Sequence, residues 1–117
     1  MLGEPIGIYK FEEKETSPAG ADKTFEGPAV KDGTLVIINH ASVIDYSDTD
    51  RMLCLGRKDG SGEVHYFKVQ KLSSLYEAHL EGEMVLLAGE KPIGVVENPN
   101  AGEVLYCSFY GLVFKIA

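Results

Sequence analysis

The sequence has no tryptophan, only two cysteines, and no apolar run near the ~20 residues that cross a bilayer as a helix. Each absence removes something. Two thiols cannot build a Cys₄ or Cys₃His zinc site. The opening Met1-Leu2-Gly3-Glu4-Pro5 lacks the basic start and apolar run of a secretory leader, so synthesis in the cytosol is expected. Basic residues are also scarce. Eleven Lys and Arg stand against eighteen Asp and Glu, for a formal net charge of −7. The densest basic pair, Arg57-Lys58, is followed at once by Asp59. Phosphate backbones are gripped by basic patches, so nucleic acid is not an expected partner. A membrane is not expected either.

Reactive groupings are missing too. His40, His65 and His79 show no H-x-x-x-H spacing, and there is no Cys-x-x-Cys, Gly-x-Ser-x-Gly, P-loop or dinucleotide fingerprint. His40, beside Asn39, reads as a hydrogen-bonding residue at a strand end. His65 alternates with Phe67 and Val69, the pattern of a satisfied, partly buried histidine. The run Asp45-Tyr46-Ser47-Asp48-Thr49-Asp50 offers carboxylates to calcium, but the central Gly and distal Glu of an EF-hand loop are absent, so a solvated turn is expected. Glu81 and Glu83 match an acid–base pair in residue type only. Cys54 and Cys107 lie in apolar segments and read as buried free thiols acting as small hydrophobes. Pairing them would need an oxidising compartment and suitable geometry. The expectation is no catalytic residue, no cofactor and no metal; the chain is not read as an enzyme.

What is present is pleated chain. A length of 117 residues fits one domain. Ile6–Phe11 reads as a first strand. Residues 12–32, EEKETSPAGADKTFEGPAVKD, carry two Pro, two Gly and many charges, and read as an extended arm or long loop. This divides the chain into a strand and arm over 1–32 and a β-domain over 33–117. From Gly33 on, Thr34–Asn39 is β-branched and apolar. Arg51–Gly56 and Val64–Gln70 flank a hairpin turn at Lys58–Glu63, where Asp-Gly and Gly supply positive-φ positions. Leu72–Leu80 reads either as one or two helical turns or as an irregular link with a short strand. Glu83–Ala88, Ile93–Glu97, Val104–Phe109 and Leu112–Ile116 are strands, the last two joined with a bend at Gly111. Ala-Gly-Glu occurs at 88–90 and 101–103, with Gly89 and Gly102 as turn residues.

About seven or eight short strands in one domain predict an all-β, antiparallel β-sandwich, jelly-roll or Ig-like, with an extended N-terminal arm. On the last strand both faces are apolar: Leu105, Cys107 and Phe109 on one, Val104, Tyr106 and Tyr110 on the other. A sheet with one wet face alternates more cleanly. The second apolar face therefore predicts contact with another layer or subunit, or cover from the arm or a loop.

Three stretches carry a resemblance: TLVIINHASVID, RMLCLGRKDGSGEVHYFKV and MVLLAGEKPIGVVENPNAGEVLYCSFYGLVF. In that order they resemble small β-sandwich virion proteins of tailed bacteriophages over about 85 residues, on the pattern of strands and Gly/Asp turns. The resemblance implies a structural part that decorates or cements a capsid, or sits at a collar or tail, as rings or trimers. Its partners would be copies of itself, the major capsid protein or other virion proteins, and its place the virion. The expected contact residues are Tyr106, Tyr110 and Phe114 on the last strand and Ile8, Tyr9, Phe11 and Phe25 on the arm, since aromatic residues are enriched in interface cores. The alternative is a carbohydrate- or receptor-binding sandwich, with Tyr46 and Tyr76 as its loop aromatics.

Overall fold

A computed structural model describes residues 3–18, 21–47, 52–71 and 77–116, with no helix among them. The strands are β1 (Gly7–Thr16), β2 (Lys23–Glu26), β3 (Thr34–Asp45), β4 (Met52–Lys58), β5 (Val64–Lys71), β6 (Glu77–His79), β7 (Met84–Leu86), β8 (Lys91–Val96) and β9 (Val104–Lys115). One sheet runs β1-β9-β3-β6, with β7 also on β3; the other runs β2-β8-β4-β5. Every pairing is antiparallel.

The topology follows from a nested set of hairpins. Strands β6 and β7 pair with successive stretches of β3, at Ser42–Ile44 and Val36–Ile38, so they act as one strand interrupted at residues 80–83. Counted that way, first pairs with last, second with second-last, third with sixth, and fourth with fifth. A long hairpin rolled onto itself in this manner is a jelly roll, two sheets face to face. Of the two sandwich types expected, it is the jelly roll that forms.

The core lies between the sheets. Val36, Ile38, Ala41, Val43, Met84, Leu86, Leu105, Cys107 and Phe109 come from one sheet, and Phe25, Leu53, Leu55 and Val96 from the other. Along β3 and β9 these alternate with outward residues, as a pleat requires. A smaller cluster of Cys54, Ile93 and Val95, with Met52 against it, sits apart from the main core. Cys107 and Cys54 are both free and buried, as expected. Burial pushes the Cys54 thiol up to about 11 and the Cys107 thiol well above the usual range.

Residues 12–16 and 23–26 are paired strand rather than arm. Strand β1 continues to Thr16 along the whole of β9, from Gly7↔Val113 to Thr16↔Val104. Strand β2 pairs with β8, and Phe25 is completely buried. Of the charges that suggested a loop, Glu12 and Lys14 point to solvent, while Glu13 and Glu15 take the side of Tyr9 and Phe11, where Glu15 pairs with Lys23 of β2. The Pro and Gly residues fall around the strands, at Pro18, Gly27 and Pro28, rather than within them. Strands before Gly33 thus belong to both sheets.

Two further expectations shift in detail. β9 is continuous through Gly111; the irregularity is in its partner, where Ile38↔Gly111 is followed by His40↔Tyr110 and Asn39 is the extra residue of a bulge. A Cβ on Gly111 would lie 2.2 Å from the Ile37 carbonyl oxygen, so only glycine lets the bulged strand pass. The second sheet repeats the device. Gly56 faces Tyr66 with Phe67 bulged out, which breaks the alternation read for His65, Phe67 and Val69. The turn glycines Gly89 and Gly102 do adopt positive φ, at 84° and 85°. Within Leu72–Leu80, Glu77–His79 is strand; residues 72–76 lie outside the described part.

Gly111→Ala should destabilise the protein by about 1–3 kcal/mol, the usual cost of forcing atoms into packed structure. Gly60→Ala, with open space at its Cβ, should leave the denaturation midpoint almost unchanged. Equal midpoints for the two variants would mean that the bulge imposes no glycine. Phe25→Ala should cost about 3–5 kcal/mol in urea melts, as for a core phenylalanine; a neutral result would return residues 23–26 to the status of an arm.

Candidate functional site

The sandwich has one full core, yet the five-stranded sheet is apolar on both sides. Directly opposed residues of antiparallel strands point to the same side, so the register gives rows across its outer face. One row is Ile8, Leu112, Ile37 and Val85. The adjoining row, toward the open end, continues through Phe114 and Leu35. Ile6 lies at the β1 end of that row, its N–H donating to the Val113 carbonyl, and Leu87 follows β7 at the other. Ile8 is 78% exposed and Ile6 60%, with Val85 and Leu87 about half exposed at 47% and 53%. Half of this face is therefore a hydrophobic surface spread over four strands.

The other half is polar and internally bonded. The Tyr106 hydroxyl donates to Glu12 Oε1 at 3.0 Å, and the Tyr110 hydroxyl donates to the same oxygen. These two bonds, Tyr110's first, hold the Glu12 carboxyl below its usual range, and the bond to Glu12 raises Tyr110. The Tyr110 ring lies 5.4 Å from the His40 ring. His40 Nε2 is 3.3 Å from Ser108 Oγ, which is 3.0 Å from Ser42 Oγ across the β3–β9 ladder. Ser42 and Ser108 are buried beneath these larger side chains, and their mutual bond satisfies hydroxyls that burial would otherwise leave costly. His40 thus sits within a strand, not at its end.

The predicted contact residues divide cleanly. Ile8, Tyr106, Tyr110 and Phe114 share the outer face. Tyr9 and Phe25 are core residues, and Phe11 packs on the core from the inner side with its ring 5.9 Å from Phe109. Tyr9 donates its hydroxyl to the Pro28 carbonyl at 2.6 Å, and burial raises its pKa. Sequence reasoning missed Ile6, Leu35, Ile37, Val85, Leu87 and Leu112. The signal was present: LVII (35–38) and LVF (112–114) are apolar at consecutive positions, so whichever face is inward, the other is apolar as well. Beside β1, an apolar groove of about 370 Å³ runs between Ile6–Lys10 and the Pro28–Lys31 segment.

Other candidates are structural in their contacts. Asp59 closes the β4–β5 hairpin: Oδ1 accepts from the Ser61 N–H, the Ser61 hydroxyl and the Glu63 N–H at 3.0, 2.7 and 3.0 Å. Its Oδ2 lies 2.9 Å from His65 Nε2, and Ser61 and then His65 hold the carboxyl far below its usual range. Ligand atoms of Asp59, Glu63 and His65 lie within 4.8 Å of one another, but turn closure already accounts for that convergence. Asp45 Oδ1 accepts from the Ser47 N–H at 2.9 Å; Asp48–Asp50 lie outside the described residues, as does Tyr76. Tyr46 is 52% exposed, with its ring against Tyr106 and the Lys14 ammonium over its face. Glu81 and Glu83 are exposed, and His79 lies between Glu77 and Glu81 at 3.5 and 3.9 Å.

No family model and no curated protein matches the chain. Solved structures are similar to it in fold at low identity. The globular domain of zebrafish complement 1qA protein is 19% identical, covering 92% of this chain and 95% of its own, at a TM-score of 0.49. The Drosophila NLP core is 8% identical over 91% of this chain and 98% of its own, at 0.46. A chain of infectious bursal disease virus, Gt strain, is 10% identical over 98% of this chain but 34% of its own, at 0.48. At these scores none bears on function.

Because Glu12 has a depressed pKa in the folded state, its contribution to stability is present above the ordinary glutamate range and is lost as pH falls through its folded value. Replacing both Tyr106 and Tyr110 by Phe should move the Glu12 titration upward in NMR. An unshifted titration would show that the two hydroxyls do not bond this carboxylate in solution.

Proposed function

We propose that this chain is a non-enzymatic structural part of a virus particle: a decoration or cement protein of a tailed-phage capsid, assembling as rings or trimers on the shell. Its partners in this reading are copies of itself and the major capsid protein, and its place is the virion. One observation carries it: the exposed apolar half of the outer sheet face. The fold does not need that surface, since the inner face of the same sheet already holds the core. Contiguous apolar area of this kind on a small domain marks a surface that another protein covers. The jelly roll supports the reading, being an architecture that recurs in capsid proteins. Ser42 with Ser108 is engaged in pairing strands, and Asp59 with Ser61 and His65 in closing a turn. Acidic net charge fits a protein partner better than a phosphate one.

The test is the mass of the native assembly. At micromolar concentration the protein should sediment as a multiple of its 12.8 kDa chain and should bind cognate shells. Ile8→Asp should shift the population toward monomer while leaving the stability of the monomer itself, compared at a dilution where both proteins are dissociated, nearly unchanged, because a side chain this exposed contributes little to the fold. Protein that stays monomeric at high concentration and ignores shells would overturn the reading.

A further inference from the structure

The two edges of the five-stranded sheet match each other row by row. Strand β1 ends the sheet on one side, and β6 with β7 ends it on the other. Reading across the outer face, the Ile6 row ends near Leu87, and the Ile8 row ends at Val85. The Lys10 row runs through Tyr110 and His40 toward the turn that carries Glu81 and Glu83. The Glu12 row passes through Ser108 and Ser42 to His79. The Lys14 row passes through Tyr106 and Ile44 to Glu77. Apolar faces apolar in two rows. In the other three, a charge on one edge meets an opposite or titratable group on the other.

Strand direction matches too. β1 and β3 run one way and β9, β6 and β7 the other, so a copy set beside the first in the same orientation brings β1 antiparallel to β7 and β6. Self-pairing of either edge lacks this fit. Two β1 strands laid antiparallel over their full length would set Ile6 and Ile8 against Thr16 and Lys14, and two β6–β7 edges in full overlap would set Leu87 and Val85 against Glu77 and His79.

We propose that copies of this chain associate head to tail, the β1 edge of one continuing the sheet at the β6–β7 edge of the next. This rests on the reading that the chain assembles with itself, and it specifies the contact. Such a heterologous contact closes into a ring when its rotation allows. Ile6 and Ile8 meet the neighbour's Val85 and Leu87. Lys10 and Lys14 meet its acidic stretch, Glu77, Glu81 and Glu83, with His79 between. Opposed edge charges also set which strand pairs with which, since like charges across a contact are strongly unfavourable.

The experiment is a charge exchange read by sedimentation. Lys14→Glu and Glu77→Lys, each alone, should weaken assembly roughly ten-fold, and the two combined in one chain should restore it. The restored particle should contain three chains or more. Exchange without effect, in a protein that still assembles and still responds to Ile8→Asp, would sink the edge contact and leave the assembly reading standing. An assembly that stops at two chains would sink the head-to-tail arrangement. No assembly under any condition would sink both.

Discussion

Strands β3 and β9 run antiparallel along almost their whole length, from Thr34↔Lys115 to Asp45↔Leu105, at the centre of the larger sheet. The rest is arranged around that pair. β1 lies along the far side of β9, and β6 and β7 along the far side of β3. The inner residues of both strands make one side of the core, which the second sheet closes through Phe25, Leu53, Leu55 and Val96. A pair this long brings distant ends of the chain together. It also accumulates twist, and the bulge at Asn39 against Gly111 absorbs a residue where a strict ladder would not fit.

The central pair also explains the outer face. A strand buried on both sides reads as an unbroken apolar run, while one with a wet face alternates. β3 and β9 do both, at different ends. Toward the open end Leu35, Ile37, Leu112 and Phe114 keep the outer side apolar. Toward the other end Ser42 and Ser108 replace them, roofed by Tyr106, Tyr110 and His40. Placing hydroxyls under aromatic rings is tolerable only because each serine bonds the other, and because Glu12 gathers the tyrosine hydroxyls above. The face thus carries a dry half and a bonded half, and the boundary falls at the bulge.

Much of this was legible in the residues. Alternation and turn chemistry gave the all-β sandwich, the hairpin at Asp59–Glu63 and the turns at Gly89 and Gly102. Apolar residues on both sides of the last strand pointed to the outer face, and four of the seven expected contact residues lie there. The misreadings share one cause. Glu12, Glu13, Lys14 and Glu15 made the second half of β1 look like a solvated arm, because that half of the strand is polar on both sides. Phe25 looked stranded among charges because β2 is only four residues long and buries a single ring. Bulges leave no local mark: Asn39 and Phe67 are extra residues only relative to partners far along the chain. The larger part of the apolar surface was missed for the same reason, since rows across a sheet join residues that sequence order separates.

Charged residues on an edge strand have two physical uses, and their placement separates them. Lysine on an edge discourages pairing with other chains, and proteins use it in that way where the edge would otherwise be sticky. On β1, however, the lysines are not where the edge is sticky. Ile6 and Ile8 stand unguarded at the start of the strand, the most exposed large apolar residues in the described structure. Lys10 and Lys14 lie further along, beside the polar half of the face, where a gatekeeper has least to guard. The opposite edge shows the same order in mirror sense, apolar at Val85 and Leu87 and acidic from Glu83 back to Glu77. An edge meant to repel would bring like charges together whichever way copies met. These two edges are instead opposite in sign and alike in apolar position, and their strand directions fit when copies share an orientation, so in the proposed contact the charges select a partner rather than refuse one.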